Sequence, residues 1–244
     1  MVIKECITQF YQQLFSKPSD YWPHLDGLDF SRISKDNSYW LDRPFEEEEV
    51  LGVVMSCVGD KSPEPDGFPM AFFQACWHII NTDLMAVFHS FNEFGEFECS
   101  LNATFLVLIP KKHDAEELKD FRPISLVGGL YKIIAKVLAN RLRVVLPDII
   151  SETQNAFIGG RQILDLALIA SECLDSHLKT GVPGVMCKLD VEKAYDHVNW
   201  KFLHYLLGRC GFSSSWQRWI SSCIFTACFS VMINGSPVGF FMGS

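Results

Sequence analysis

Apolar residues recur along this chain with two periods, one helical and one of strand alternation, and the switches between them mark its elements. Near the start, Phe10, Tyr11, Leu14 and Phe15 form one helical stripe, and residues 1–43 as a whole read as a peripheral lead-in. Residues 17–29 are rich in Pro, Asp and Gly and read as loop. Residues 46–57 carry a short amphipathic helix after Pro44. Its opening run Glu46-Glu47-Glu48-Glu49 suits the positive end of the helix dipole and reads as a solvated helix start. A turn cluster, Pro63-Glu64-Pro65-Asp66-Gly67, follows. Pro69 then opens a helix with Phe72, Phe73, Cys76, Trp77 and Ile80 on one side, and a second helix covers about residues 83–93.

Residues 103–109 are β-like, residues 111–120 form a charged loop, and residues 121–126 are extended. Pro123 within that extended run marks an edge or irregular strand. A long helix lies within residues 128–150. At about 100° per residue, Ile133, Ile134, Val137, Leu138, Leu142 and Val145 share its apolar face, while Lys132, Lys136 and Arg143 line up opposite. Arg141 points to the apolar side, so it must snorkel or find a partner. Further helices are expected at residues 161–179, 200–209 and 214–225, the last two separated by Cys210-Gly211-Phe212. Residues 185–189 form a short apolar run suited to a buried strand. Residues 229–241 alternate around Asn234-Gly235, a hairpin signal. Strands interleaved irregularly with helices give an α+β chain.

Composition narrows the picture. A hydrophobic fraction of 48% supports a packed core, and no run approaches the length of a membrane span. With no basic, apolar leader at its start, a soluble intracellular protein of the nucleus or cytoplasm, without a membrane partner, is expected. The nine Cys are scattered without a C-x-x-C pair, which favours reduced core thiols over disulfides or a zinc site. The net charge of −8 is uneven. Residues 1–100 hold 6 basic against 17 acidic residues, a net −11, whereas residues 101–150 hold 8 against 5, a net +3. Any nucleic-acid footprint therefore belongs to the middle segment.

The chemistry concentrates in KLDVEKAYDHVNW, residues 188–200. Asp190 ends the apolar run, where a strand would fix a carboxylate toward a divalent cation. Tyr195, five residues on, can wall the same pocket. On spacing alone, a surface Asp beside a packing Tyr fits as well. Upstream lie SPEPDGFPMAFFQACW (residues 62–77), LIPKK (108–112), FRPISL (121–126), KIIAKVLANRL (132–142) and QNAFIGGRQILD (154–165). In this order and spacing, from about Phe10 to the end, the chain resembles the reverse transcriptase of a non-LTR (LINE-type) retrotransposon, and plant ones most.

The resemblance implies right-hand polymerase fingers plus a partial palm, with the thumb absent. The implied division is a lead-in at residues 1–60, fingers at 61–183 and the opening of the palm at 184–244. It implies nucleotidyl transfer from a dNTP to a DNA primer on an RNA template, with Mg²⁺ at a two-metal site. Asp190 and the Val191 carbonyl take the metal-ligand positions, and Tyr195 the place of a gate against the ribose 2′-hydroxyl. Lys111 or Lys112, with Arg122, takes the place of the cations that grip the triphosphate. Lys132, Lys136, Arg143 and Arg161 are candidates for template phosphate contacts. Glu64 stands where the family has Gly, which sets a carboxylate against RNA in that loop. The family's second metal motif is an aromatic-Ala-Asp-Asp hairpin, and this sequence has no Asp-Asp pair and no Asp or Glu after Asp196. The expectation is a truncated domain, inactive alone, whose last hairpin exposes apolar surface and a strand edge. The alternative is a non-catalytic RNA-binding or interaction module derived from a retroelement.

Overall fold

The computed structural model describes residues 2–16, 25–59, 67–181, 184–185, 187 and 198–243. Nine α-helices and four strands are assigned among them: α1 (Val2–Phe15), α2 (Lys35–Leu41), α3 (Glu47–Ser56), α4 (Met70–Ala75), α5 (Trp77–Phe94), β1 (Ala103–Pro110), β2 (Phe121–Val127), α6 (Gly129–Ile149), α7 (Ile163–Thr180), α8 (Trp200–Arg209), α9 (Ser214–Phe225), β3 (Cys228–Ile233) and β4 (Ser236–Met242). The strands form one sheet in the order β2-β1-β3-β4. β1 is antiparallel to β2 and parallel to β3, and β4 returns antiparallel on β3. This is an α+β arrangement, and the sheet joins strands from both sides of residue 183.

Two apolar clusters hold it. The larger is helical. Val50, Val53 and Val54 of α3, Phe88 and Phe91 of α5, Ile133, Ile134, Val137, Leu138 and Val145 of α6, and Trp216 and Trp219 of α9 meet around Phe45. The face expected on the long helix is the buried one, with Leu142 packed at its margin. The smaller cluster lies between α1 and the sheet, where Tyr11, Leu106, Val231 and Phe241 are buried. Phe15 stacks on Phe229 with ring centroids 5.0 Å apart.

That second cluster corrects two expectations. The N-terminal stripe is not peripheral, because it covers one face of the sheet. The last hairpin is covered on that face, because β3 is an inner strand whose Val231 is fully buried, although β4 remains a sheet edge and Phe240 and Met242 on it are exposed, as expected. Asn234 and Gly235, both at positive φ (50° and 77°), make its turn. At Gly239 (φ +67°) a Cβ would overlap the Thr8 side chain, so α1 rests directly on the β4 backbone.

A third correction concerns Glu49. The acidic run opens α3 as expected, but Glu49 is not solvated. Its side chain is 17% exposed and receives Arg141 Nε at 3.0 Å and Nη2 at 2.7 Å. Arg141 Nη1 also donates to the carbonyls of Leu41 and Arg43 (2.8 and 2.7 Å), and Nη2 to that of Pro44 (3.0 Å). The arginine has found its partner rather than snorkelled. A fourth concerns the break after α4. It falls at Cys76 (φ −99°, ψ 10°), inside the run expected to be one helix, so Phe72 and Trp77 belong to different helices. Gln74 of α4 donates to the Val54 and Cys57 carbonyls at 3.0 and 2.8 Å, which closes the open C-terminal end of α3.

Pro123 sits on edge strand β2, where its missing N–H breaks no ladder bond. α8 and α9 start at Asn199 and Ser213, whose side chains accept from Phe202 N and Trp216 N, each at 3.0 Å. The described cysteines are free thiols, but Cys6, Cys173 and Cys187 are exposed rather than in the core. Cys173 lies on α7, a helix that buries none of its side chains.

Candidate nucleotide and nucleic-acid site

β1 ends at Pro110 and β2 begins opposite it at Phe121, so residues 111–120 form the turn between two hydrogen-bonded strands. The Lys111 N–H donates to the Asp120 carbonyl at 2.7 Å and closes the mouth of the turn. Asp114 takes a left-handed conformation (φ 57°), where a short polar side chain is tolerated. A short 3₁₀ turn at Leu118–Asp120 completes the return, with a reciprocal cap between Glu117 and Asp120. Pro110, Lys111, Lys112, His113, Asp114, Ala115 and Phe121 line an open cleft of about 570 Å³ on this turn.

The cations expected here do gather at one end of the sheet. Lys111 and Lys112 follow Pro110 directly, and Arg122 lies across the ladder from Ile109. Their surroundings differ. Lys111 Nζ donates to the Lys119 carbonyl at 2.6 Å. Lys112 Nζ lies 2.9 Å from Asp120 Oδ2. The hydrogen bond from Lys112 is the main reason the Asp120 carboxyl is held below its usual range. The pair is therefore complete above the ordinary carboxylate range and is lost as pH falls through the lowered value. Lys119 Nζ lies 2.5 Å from Glu117 Oε2. Arg122 is exposed and, among the described residues, its side chain has no hydrogen bond or ion pair.

The stripe on α6 is less uniform than its spacing. Lys132 is half-buried, and burial lowers its amine from the usual lysine range. Lys136 Nζ sits 3.5 Å from the Ser56 carbonyl and 3.7 Å from Cys57 Sγ, at the end of α3. Arg143 is exposed and packs its stem near Gly159. Arg161 is turned inward. Its guanidinium donates to the carbonyls of Ser151, Gln154 (2.7 Å) and Ile150 (3.2 Å), which staples the loop before α7. Asp190, Val191 and Tyr195 lie outside the described residues. So do Pro65 and Asp66 of the turn cluster. Among the described residues no group of three His, Cys, Asp or Glu side chains is placed to hold a metal. Among them too, no helix is long and apolar enough to cross a membrane.

Sequence reasoning missed Asp120 and Glu117 as partners of these lysines. The signal was the mixed charge of residues 111–120, which hold three Lys and four acids within one turn.

The family profile described as reverse transcriptase (RNA-dependent DNA polymerase) matches residues 109–243. The Transposon TX1 uncharacterized 149 kDa protein of Xenopus laevis is 31% identical over 249 residues, which is 99% of this chain and 19% of that protein. The Retrovirus-related Pol polyprotein from type-1 retrotransposable element R1 of Bradysia coprophila is 27% identical over 165 residues, 66% of this chain and 16% of that one. The chain thus spans less than a fifth of the length of either relative.

Proposed function

The chain belongs to the reverse transcriptase family, of the kind carried by non-LTR retrotransposons, and on that premise we propose that its β1–β2 turn grips the triphosphate of an incoming deoxynucleotide. The observation that carries this reading is the gathering of Lys111, Lys112 and Arg122 at one end of the sheet, beside an open cleft, inside the segment that matches the family. Phosphoryl transfer leaves little covalent work to the protein and depends on positioning and on cations against the phosphates. Arg122 offers a planar fork whose side chain has no partner to give up among the described residues, and the lysines offer point charges on flexible stems.

In this reading residues 61–183 serve as fingers, 184–244 open the palm and 1–60 lead in. The nucleic-acid partners are an RNA template and a DNA primer. Template phosphates run along α6, with Arg143 the most accessible of Lys132, Lys136 and Arg143. Arg161 contributes by holding its loop against the end of α6, since three backbone carbonyls already take its donors. Asp190, with the Val191 carbonyl, is assigned to the metal on the strength of the sequence motif alone, and Tyr195 to the sugar. When bound, Mg²⁺ would supply activation of the primer hydroxyl and charge neutralisation at the phosphates.

Equilibrium binding of a dNTP to the 244-residue chain tests the reading. Arg122→Gln is expected to weaken it about tenfold, the scale of one charge-assisted contact. A chain in which Lys111, Lys112 and Arg122 are all Gln should bind at background. Equal binding by that triple variant and the unmodified chain sinks the proposal.

A further inference from the structure

The turn that is to hold a polyphosphate is not itself electropositive. Residues 111–120 carry three Lys against four Asp and Glu. Every ammonium group in it is already engaged, Lys111 on the Lys119 carbonyl, Lys119 on Glu117 and Lys112 on Asp120. A polyphosphate must therefore take a cation from an existing acceptor before that cation can grip it.

The three engagements are not equally hard to break. Lys119 and Glu117 are 72% and 64% exposed, so solvent screens that pair and it competes weakly. Lys111 rests on a neutral carbonyl and helps to close the turn. Asp120 is different. Its side chain is 14% exposed and fixed by the backbone, because Oδ2 also accepts the Glu117 N–H at 3.4 Å and its own N–H donates to the Glu117 carbonyl at 2.8 Å. Lys112, 59% exposed on a four-carbon stem, is the mobile member. Asp120 stays in place while Lys112 can leave.

Resting on the nucleotide reading above, we propose that Asp120 is a latch on Lys112. In the ligand-free chain the carboxylate holds the ammonium, and a bound triphosphate draws it off. Asp120 thereby sets the threshold affinity of the site, and Lys112, not Lys111, is the lysine that changes partner. The latch also keeps the empty turn from collecting phosphates of the wrong kind, such as those of a nucleic-acid backbone, which present fewer charges at one point.

The test is calorimetric titration of the 244-residue chain with inorganic tripolyphosphate in magnesium-free buffer. Asp120→Asn keeps the size of the side chain and an oxygen for the Glu117 N–H, and is expected to tighten binding about fivefold. Lys112→Gln should weaken it. The double variant should bind no more tightly than Lys112→Gln alone, because the gain runs through Lys112. Glu117→Gln removes the same charge nearby and should change nothing. Asp120→Ser, also able to accept from Glu117, repeats the measurement should a dichroism melt show that Asn disturbs the turn. Unchanged affinity in both Asp120 variants, an equal gain in Glu117→Gln, or a gain that persists without Lys112 each overturns the latch while leaving the nucleotide site intact. Absence of tripolyphosphate binding in the unmodified chain and in every variant overturns the nucleotide reading itself, and the latch with it.

Discussion

Arg141 brings five N–H donors into the helical core, and five acceptors meet them: both oxygens of Glu49 and the carbonyls of Leu41, Arg43 and Pro44. Its side chain is fully buried and its guanidinium lies 4.2 Å from the centre of the Phe45 ring. One residue of α6 therefore fixes both the start of α3 and the turn before it. Arg141→Met leaves three carbonyls without partners and Glu49 with Arg43 alone, at 3.0 Å, and should cost about 3–5 kcal/mol of stability in urea unfolding. Arg141→Lys keeps the charge but loses the fork, and should still cost about 2 kcal/mol. A Lys variant as stable as the parent would mean that the charge alone, and not the geometry of the five bonds, holds this junction. The sequence indicated that Arg141 needed a partner, because it lies on the apolar face of α6. It did not indicate Glu49, which is 92 positions away and sits in a run of four identical residues with nothing local to single it out.

Among the elements, those with chemical punctuation at their own ends were legible. Asn199 and Ser213 cap α8 and α9, and Asn234-Gly235 turns the hairpin, so those boundaries follow from side chains a few residues away. The parallel pairing of β1 with β3 and the docking of α1 were not legible, because strands more than a hundred positions apart carry no mutual local signal. The break at Cys76 escaped for a related reason. Its neighbours continue the apolar stripe, and the cause is tertiary, with Gln74 drawn onto the end of α3. α1 is the element whose role changed most. If it rests on Gly239 as the backbone contact requires, Gly239→Ala adds a side chain at positive φ and against Thr8. The expected loss is about 1–3 kcal/mol, with residues 2–15 becoming sensitive to limited proteolysis. Unaltered melting and protease resistance in that variant would show that the helix contributes nothing to the sheet.

For the whole molecule, the distribution of acids decides what the chain can do by itself. A two-metal polymerase centre needs carboxylates from separate strands facing one another. The sequence motif offers Asp190 on one side, with Glu192 and Asp196 on the same short segment. Residues 197–244 contain no Asp or Glu, so α8, α9, β3 and β4 supply no opposing carboxylate. Both relatives are more than five times as long as the segment they share with this chain. The 244-residue polypeptide is therefore expected to give no primer extension on an RNA template with Mg²⁺ or Mn²⁺, even where it binds nucleotide through Lys112 and Arg122. Fusing or adding the downstream portion of an intact relative should restore extension if the β1–β2 turn is competent. In that assembly Asp190→Asn should abolish synthesis, and Tyr195→Ala should admit ribonucleotides. Extension by the 244 residues alone that disappears with Asp190→Asn would refute the carboxylate argument. Restored synthesis that survives Asp190→Asn would instead remove Asp190 from the metal site and leave the turn between β1 and β2 as the chain's contribution.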